Sequence, residues 1–231
     1  MIRPFDASRK LPAGRWLGAG LALLLAAGCA STRETLANKV QPRQQFFRPV
    51  NFHAEAQLPA DLQRVLFLPV CGGTLAAPES AAALEEVFAT ELQKQLRFEV
   101  VRLSREDCQR RFGATEFSST AMLPHDFLAR LGREFGADAV LFVDVTAYRA
   151  YPPLALGVRA KLATVAQTRL LWTFDEIFAA DDASVANSVR HYYAAAAPSG
   201  IPVNSGQGAL QSPGKFAAYV AAATFNTLPP R

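Results

Sequence analysis

Six residues of the chain are of the types that most often carry metal or nucleophilic chemistry: three cysteines and three histidines. The histidines, His53, His125 and His191, are far apart in sequence and have none of the spacings that are typical of metal ligands. The sequence therefore predicts no metal site and no cofactor. The three cysteines lie in different sequence contexts. The context of Cys29 indicates the cellular destination of the protein.

Cys29 ends a leader with the pattern of a secretory signal. Four basic residues and one acid come before an apolar run from Trp16 to Gly28. This run is shorter than the about 20 residues that a membrane-spanning helix needs. We therefore expect residues 1–28 to be a signal peptide. Cleavage would remove most of the net charge of +4. The nearly neutral chain that remains lacks the excess of positive charge that binding to nucleic acid requires.

The end of this leader, Ala26-Ala27-Gly28-Cys29, resembles the lipobox of bacterial lipoproteins, although the leucine stands one place early, at position 25. The resemblance implies that Cys29 is lipidated and becomes the first residue, so that acyl chains such as palmitate hold the protein on a membrane. The non-acidic Ala30 resembles the signal that sorts lipoproteins to the outer membrane. We therefore expect a lipid anchor at the cell envelope, on the periplasmic face of the outer membrane. The alternative is a plain secretory signal with an incidental cysteine.

Residues 29–62 are polar and interrupted by prolines, without helical or alternating periodicity. We interpret them as a tether to a single α/β domain at residues 63–231. Three phenylalanines, Phe46, Phe47 and Phe52, do not suit a solvated linker. We favour an N-terminal strap that packs on the domain over a partner-binding motif.

The domain sequence alternates between strand and helix patterns. Buried strands are predicted at residues 64–70, 98–103 and 137–146, with one helix in the first interval and two in the second. This order indicates an α/β fold whose core is a parallel three-strand βαβαβ unit. Two further runs, 158–166 and 169–179, predict an antiparallel hairpin that extends the sheet. We expect a three-layer-like sandwich with helices packed on the sheet and a loop over residues 198–213.

Serine and aspartate residues form no catalytic constellation. Ser104 and Ser184 suit helix N-caps better than nucleophiles, and Gly113 suits a helix C-terminus. Asp138 and Asp144 share a face of the third strand but are roughly 20 Å apart, too far for paired acid–base work. We interpret them as an acid at the start of the strand and an acid at its end that meets a polar neighbour. We expect no enzymatic activity and no catalytic residue.

Cys71 and Cys108 remain as an even pair if Cys29 is lipidated. In an oxidising compartment a disulfide between them is one reading, and two separate thiols are the other. Cys71 follows the first strand and precedes two glycines, at the strand end where open α/β sheets bind ligands. Cys71 is the one candidate for the nucleophile of a hydrolase, with His125 or His191 as the general base. We consider a hydrolase the weakest of the functional hypotheses.

Three segments in this order, Arg64–Val70, Phe98–Val101 and Gly136–Thr146, resemble a family. It comprises the periplasmic lipoprotein domains related to CsgG, to the penicillin-binding-protein activator LpoB, and to the N-terminal domain of TolB. In these domains a Gly-Ala-Asp leads into a strand and an antiparallel hairpin follows, here with Leu171-Trp172-Thr173-Phe174. The resemblance spans about residues 64–197. It implies a function in protein–protein interaction and no catalytic residues.

The function that we expect is therefore non-enzymatic. The chain is expected to bind or regulate another cell-envelope protein while it is held at the membrane by its lipid. The first alternative is an oligomeric secretion or assembly component similar to CsgG, which would bind its own copies. The second alternative is the periplasmic hydrolase that would use Cys71.

Overall fold

The described residues, 45–196 and 205–231 of a computed structural model, form six strands and six helices. The strands are β1 (Phe52–Ala54), β2 (Arg64–Phe67), β3 (Glu99–Arg102), β4 (Ala139–Arg149), β5 (Ala155–Thr164) and β6 (Leu170–Ala179). The helices are α1 (Pro78–Gln93), α2 (Arg105–Phe112), α3 (Phe127–Phe135), α4 (Ala183–Ala195), α5 (Ser205–Ala209) and α6 (Pro213–Phe225). Helix α5 lies in the stretch predicted as a loop, because five residues are too few to show a helical period.

The six strands form one mixed sheet in the order β1-β6-β5-β4-β2-β3. Strand β2 pairs in parallel with both β3 and β4, and the pairs β4–β5, β5–β6 and β6–β1 are antiparallel. The predicted parallel three-strand core and its antiparallel hairpin are both confirmed. Strand β1, which comes from the segment interpreted as a tether, adds a sixth strand beyond the hairpin.

Helices pack on both faces of the sheet. Helices α1, α4 and α6 lie on one face, where the larger core cluster holds Trp172, Phe174 and Phe178. Helices α2 and α3 contribute to a smaller cluster on the other face, around Leu66 and Leu131. In the described residues the sheet side chains of this second cluster come from the parallel strands and the residues that follow them, and none belongs to β5 or β6.

The ends of two helices show which local signals were decisive. Ser104 caps α2 as predicted by accepting a hydrogen bond from the Asp107 backbone N–H at 3.0 Å, and Gly113 ends the helix with a φ of 79°. At α4 the prediction of Ser184 as the N-cap was wrong. Asp182 caps that helix, because its carboxylate accepts hydrogen bonds from both the backbone N–H and the hydroxyl of Ser184 at 2.7 Å.

Residues 45–54 run along the edge of the domain, and we call them the N-terminal strap. The Phe47 backbone N–H donates to Ser188 Oγ at 2.8 Å, and the Phe47 ring lies 4.9 Å from the ring of Phe178. Farther along, Phe52 and Ala54 pair with β6. The strap reading of the phenylalanines therefore describes this part of the chain better than a solvated tether does. Residues 29–44 lie outside the described residues.

Replacing Phe47 by alanine is expected to destabilise the domain, because the ring packs on Phe178 in the larger core cluster. Loss of a largely buried aromatic ring costs about 2–3 kcal/mol of unfolding free energy here, below the range for a fully buried phenylalanine. Phe46→Ala is the matched control, since that side chain is 46% exposed, and should cost less than about 1 kcal/mol. Urea unfolding measures both, and equal effects would contradict the packing of the strap.

Candidate functional site

Cys29, the residue on which the predicted anchor depends, lies outside the described residues, so its lipidation stays a prediction. Of the histidines, His125 is almost fully exposed and lies 3.3 Å from Asp126, and His53 is exposed on β1. His191 packs edge-on against Phe46, with 5.1 Å between ring centroids. Within residues 45–196 and 205–231 no group of three potential ligands could hold a metal ion.

Cys71 and Cys108 are both free thiols in the structure. The Cys71 thiol donates to Glu116 Oε1 at 3.4 Å. Burial, followed by the negative charges of Glu116 and Asp144, raises the pKa of Cys71 to about 12. Burial likewise raises the pKa of Cys108 to about 11. Because the thiolate is the nucleophile, neither residue is activated at neutral pH. The disulfide between them stays a prediction.

The polar partner of Cys71 is thus a carboxylate and not the imidazole that a cysteine hydrolase would need. Glu116 belongs to the loop between α2 and α3. Its carboxylate accepts hydrogen bonds from Arg105 Nη1 at 2.7 Å and from the Gly73 backbone N–H at 3.1 Å. Nothing in the sequence pattern signals this contact, because Glu116 and Cys71 are brought together only by the fold.

Arg105 joins this cluster to a buried carboxylate on helix α1. Its guanidinium lies 3.1 Å from Glu85 Oε2 and donates to the Val70 carbonyl at 2.6 Å. Burial raises the pKa of Glu85, although Arg105, the Val70 backbone N–H and Arg102 act in the opposite direction. The cluster therefore places alternating charges at the carboxyl end of β2.

Asp138 lies at the start of the third predicted strand, as expected, whereas Asp144 lies within β4 and not at its end, because the strand continues to Arg149. Asp138 precedes β4, and its carboxylate accepts hydrogen bonds at 2.8 Å from the backbone N–H groups of Gln63 and Arg64. Asp144 lies within β4 and accepts from the backbone N–H and hydroxyl of Ser119, at 3.0 and 2.5 Å. Each carboxylate fastens a neighbouring segment to the sheet.

An apolar groove of about 670 Å³ lies where the N-terminal strap meets helices α4 and α6. We call it the aromatic groove. The Tyr192 and Tyr219 rings pack edge-on, with centroids 5.9 Å apart, and Phe46 and Phe47 come from the strap. The main lining side chains are Phe46, Phe47, His191, Tyr192, Tyr219 and Ala223.

The aromatic groove offers apolar contact area and very little charge. Arg48 and His191 are its only lining residues with a basic side chain among the described residues, and no carboxylate lines it. Burial raises the pKa of Tyr192 and of Tyr219, so their hydroxyls remain neutral. Such a surface suits the apolar side chains of a protein ligand, since tyrosine and phenylalanine supply large, rigid contact areas.

No helix of the described residues is long and apolar enough to cross a membrane.

No protein-family model and no curated protein matches the chain. Several solved structures are similar to it at low identity. A PelC dodecamer from Paraburkholderia phytofirmans is 16% identical with a TM-score of 0.39, and the match covers 55% of this chain and 78% of PelC. The lipoprotein GNA1162 from Neisseria meningitidis is 18% identical with a TM-score of 0.38, covering 50% of this chain and 79% of that protein.

The C-terminal domain of LpoB from Salmonella enterica, one of the proteins that the sequence resemblance named, is also similar. It is 19% identical with a TM-score of 0.33, and the match covers 49% of this chain and 80% of that domain. Similarity of this extent does not assign the chain to a family.

The environment of Cys71 predicts a slow reaction of its thiol with iodoacetamide at pH 7.5 after reduction. Glu116→Gln should speed alkylation of Cys71 by up to about tenfold, because removing one neighbouring negative charge lowers the thiol pKa by as much as about one unit. Glu134→Gln is the matched control, since Glu134 pairs with Arg111 and not with Cys71. Mass spectrometry of the alkylated peptide measures the rates. Equal rates in all three proteins would refute the role given to Glu116.

Proposed function

We propose that the protein is a non-enzymatic lipoprotein of the cell envelope that binds another envelope protein. In this proposal the lipid on Cys29 holds the chain on the periplasmic face of the outer membrane. The domain that begins with the N-terminal strap then presents the aromatic groove to its partner. The observation that carries the proposal is the position of this groove, because the strap that lines it is also the segment that leads back towards Cys29.

The connection between strap and groove is direct. The Gln45 carbonyl accepts a hydrogen bond from Asn187 Nδ2 at 3.4 Å, and Phe46 and Phe47 follow immediately in the groove lining. Cys29 is only 16 residues upstream of Gln45, a separation that an extended chain spans in about 55 Å. A partner that lies near the same membrane is therefore within reach of the groove.

The described residues also supply reasons to favour binding over catalysis. Both thiols are held protonated, the serines singled out at sequence level lie at helix ends, and the aspartates of β4 bind backbone groups. Hydrolysis by Cys71 would require an activated thiolate beside a base. The contacts of Cys71 provide a carboxylate that opposes ionisation, so we do not propose this activity.

A second candidate function is an oligomeric assembly component, and the outer face of the hairpin favours it. This face carries Arg159, Asp175 and Ile177, and the Ile177 side chain is 56% exposed. An exposed isoleucine beside one basic and one acidic side chain can pack on the same face of another copy of the chain. The proposed interface would be separate from the aromatic groove.

Cys29→Ser is expected to release the protein from the membrane, because the acyl chains contribute about 0.8 kcal/mol for each buried methylene. The unsubstituted chain should fractionate with the outer membrane and incorporate labelled palmitate, whereas the variant should do neither. Cys71→Ser is the matched control and should behave like the unsubstituted chain. Outer-membrane retention of the Cys29→Ser variant would refute the anchor.

Site-specific photo-crosslinking in intact cells is expected to separate the two candidate functions. A crosslinking amino acid in place of Phe46 should give one discrete adduct with another envelope protein, and Ala223→Trp should abolish it by filling the groove. The same amino acid in place of Gln167, in the exposed turn between β5 and β6, is the control and should give none.

The adduct mass decides between the alternatives. A crosslinker in place of Ile177 that yields adducts of twice the chain's mass, together with none from position 46, would favour the oligomeric function and contradict the first proposal. Adducts from position 46 that persist in the Ala223→Trp variant would show that the groove is not the binding surface.

A further inference from the structure

The Glu116 carboxylate is surrounded by donors that belong to other elements of the domain. Arg105 Nη1 donates to one oxygen at 2.7 Å, and the Gly73 backbone N–H and Cys71 thiol donate to the other at 3.1 and 3.4 Å. Burial acts to raise the pKa of Glu116, but the hydrogen bonds from Arg105, Gly73, Cys71 and Gly72 outweigh it and lower the pKa. We call these donors the carboxylate cradle.

The cradle is held in place without any help from Glu116. Glu85 and the Val70 carbonyl fix the Arg105 guanidinium at 3.1 and 2.6 Å. The Cys71 backbone is tied to β4, since its N–H donates to the Val143 carbonyl at 2.9 Å. Because these donors are already held in place, binding of an anion costs little free energy of reorganisation.

The glycine turn that follows Cys71 is similarly constrained. Gly73 has a φ of 52°, a left-handed conformation that side chains disfavour. A Cβ atom on Gly72 would lie 2.9 Å from the Ala76 carbonyl oxygen. Both glycines are therefore required by the turn that aims backbone N–H groups at the carboxylate.

The carboxylate itself comes from a segment without regular structure. Residues 114–126 begin after Gly113, which has a φ of 79°, and end at Asp126, which has a φ of 57°. Met122 near the middle of this loop is 97% exposed. The loop passes the carboxyl end of β2 and contacts the middle of β4 at Asp144. Open α/β sheets bind ligands beyond the carboxyl ends of parallel strands, at the point where the strand order reverses. In this protein the Glu116 side chain lies at that position.

We propose that the carboxylate cradle is a binding site for a carboxylate group, and that Glu116 is its internal occupant. The external ligand is an acidic side chain or the C-terminal carboxylate of a polypeptide. It would displace Glu116 and leave residues 114–126 held to the sheet by the contacts of Ser119 with Asp144 and Lys161. Attachment to the same chain gives Glu116 an effective concentration on the order of millimolar, so an external carboxylate must exceed it or bring further contacts. This proposal does not depend on Cys29 or on the aromatic groove.

The test removes the internal occupant and supplies an external one. Glu116→Ala in the full chain should lower the melting temperature, and sodium acetate should raise it again in a saturable way by about 3 °C beyond equal ionic strength of sodium chloride. The unsubstituted chain and the control Glu134→Ala should show no such acetate effect. Adding Arg105→Met to Glu116→Ala should abolish the effect.

The outcomes are distinct. A folded Glu116→Ala variant that responds to acetate no more than to chloride would overturn the proposal, and a larger response to phosphate than to acetate would overturn its assignment to carboxylates. If Glu116→Ala does not fold, Glu116→Gln keeps the side-chain volume. Its residues 114–126 should exchange amide hydrogens at least tenfold faster than in the unsubstituted chain. Unchanged exchange there would show that Glu116 does not hold the loop and would overturn the internal-occupant model.

Discussion

Strand β2 pairs in parallel with a neighbour on each side, and the rest of the structure follows from this pairing. Parallel neighbours require crossover connections, so the chain must leave the sheet after β2 and again after β3. The first crossover places α1 on one face, and the second contributes α2 and α3 to the other. Because β3 and β4 pair with opposite sides of β2, the loop from α2 to α3 passes the carboxyl end of β2 and the middle of β4. The cluster of Cys71, Arg105 and Glu116 is a direct result.

The parts of the fold that could be predicted are those in which a local pattern agrees with the tertiary environment. The strand around Val140 reads as a nearly continuous apolar run because helices cover both of its faces. Helix α2 begins after Ser104, whose side-chain oxygen accepts a hydrogen bond from the first turn, and it ends at Gly113, whose backbone is left-handed. Both signals involve only residues of the adjoining helical turn. In these places the sequence contains the physical cause of the structure.

The parts that could not be predicted depend on contacts between distant segments. Strand β1 has three residues, and its pairing depends on β6, more than 100 positions later, so no period reveals it. The aromatic groove combines Phe46 with His191 and Tyr219, which no spacing relates. The contact of Glu116 with Arg105 and Gly73 is equally invisible, since a single glutamate in a polar loop reads as solvated. Only the three phenylalanines of the strap signalled that something packs there.

The N-terminal strap has a mechanical consequence if Cys29 carries the proposed lipid and that lipid bears load. Any tension along the chain from the membrane enters the domain at Gln45 and reaches the two bonds of Phe47, to Ser188 and to the Ser184 carbonyl, before it reaches β1. The contacts that yield first are therefore those that line the aromatic groove, while the sheet remains intact. The width of the groove would then depend on how far the domain is pulled from the membrane. Binding of the partner would therefore depend on the distance between the partner and the membrane.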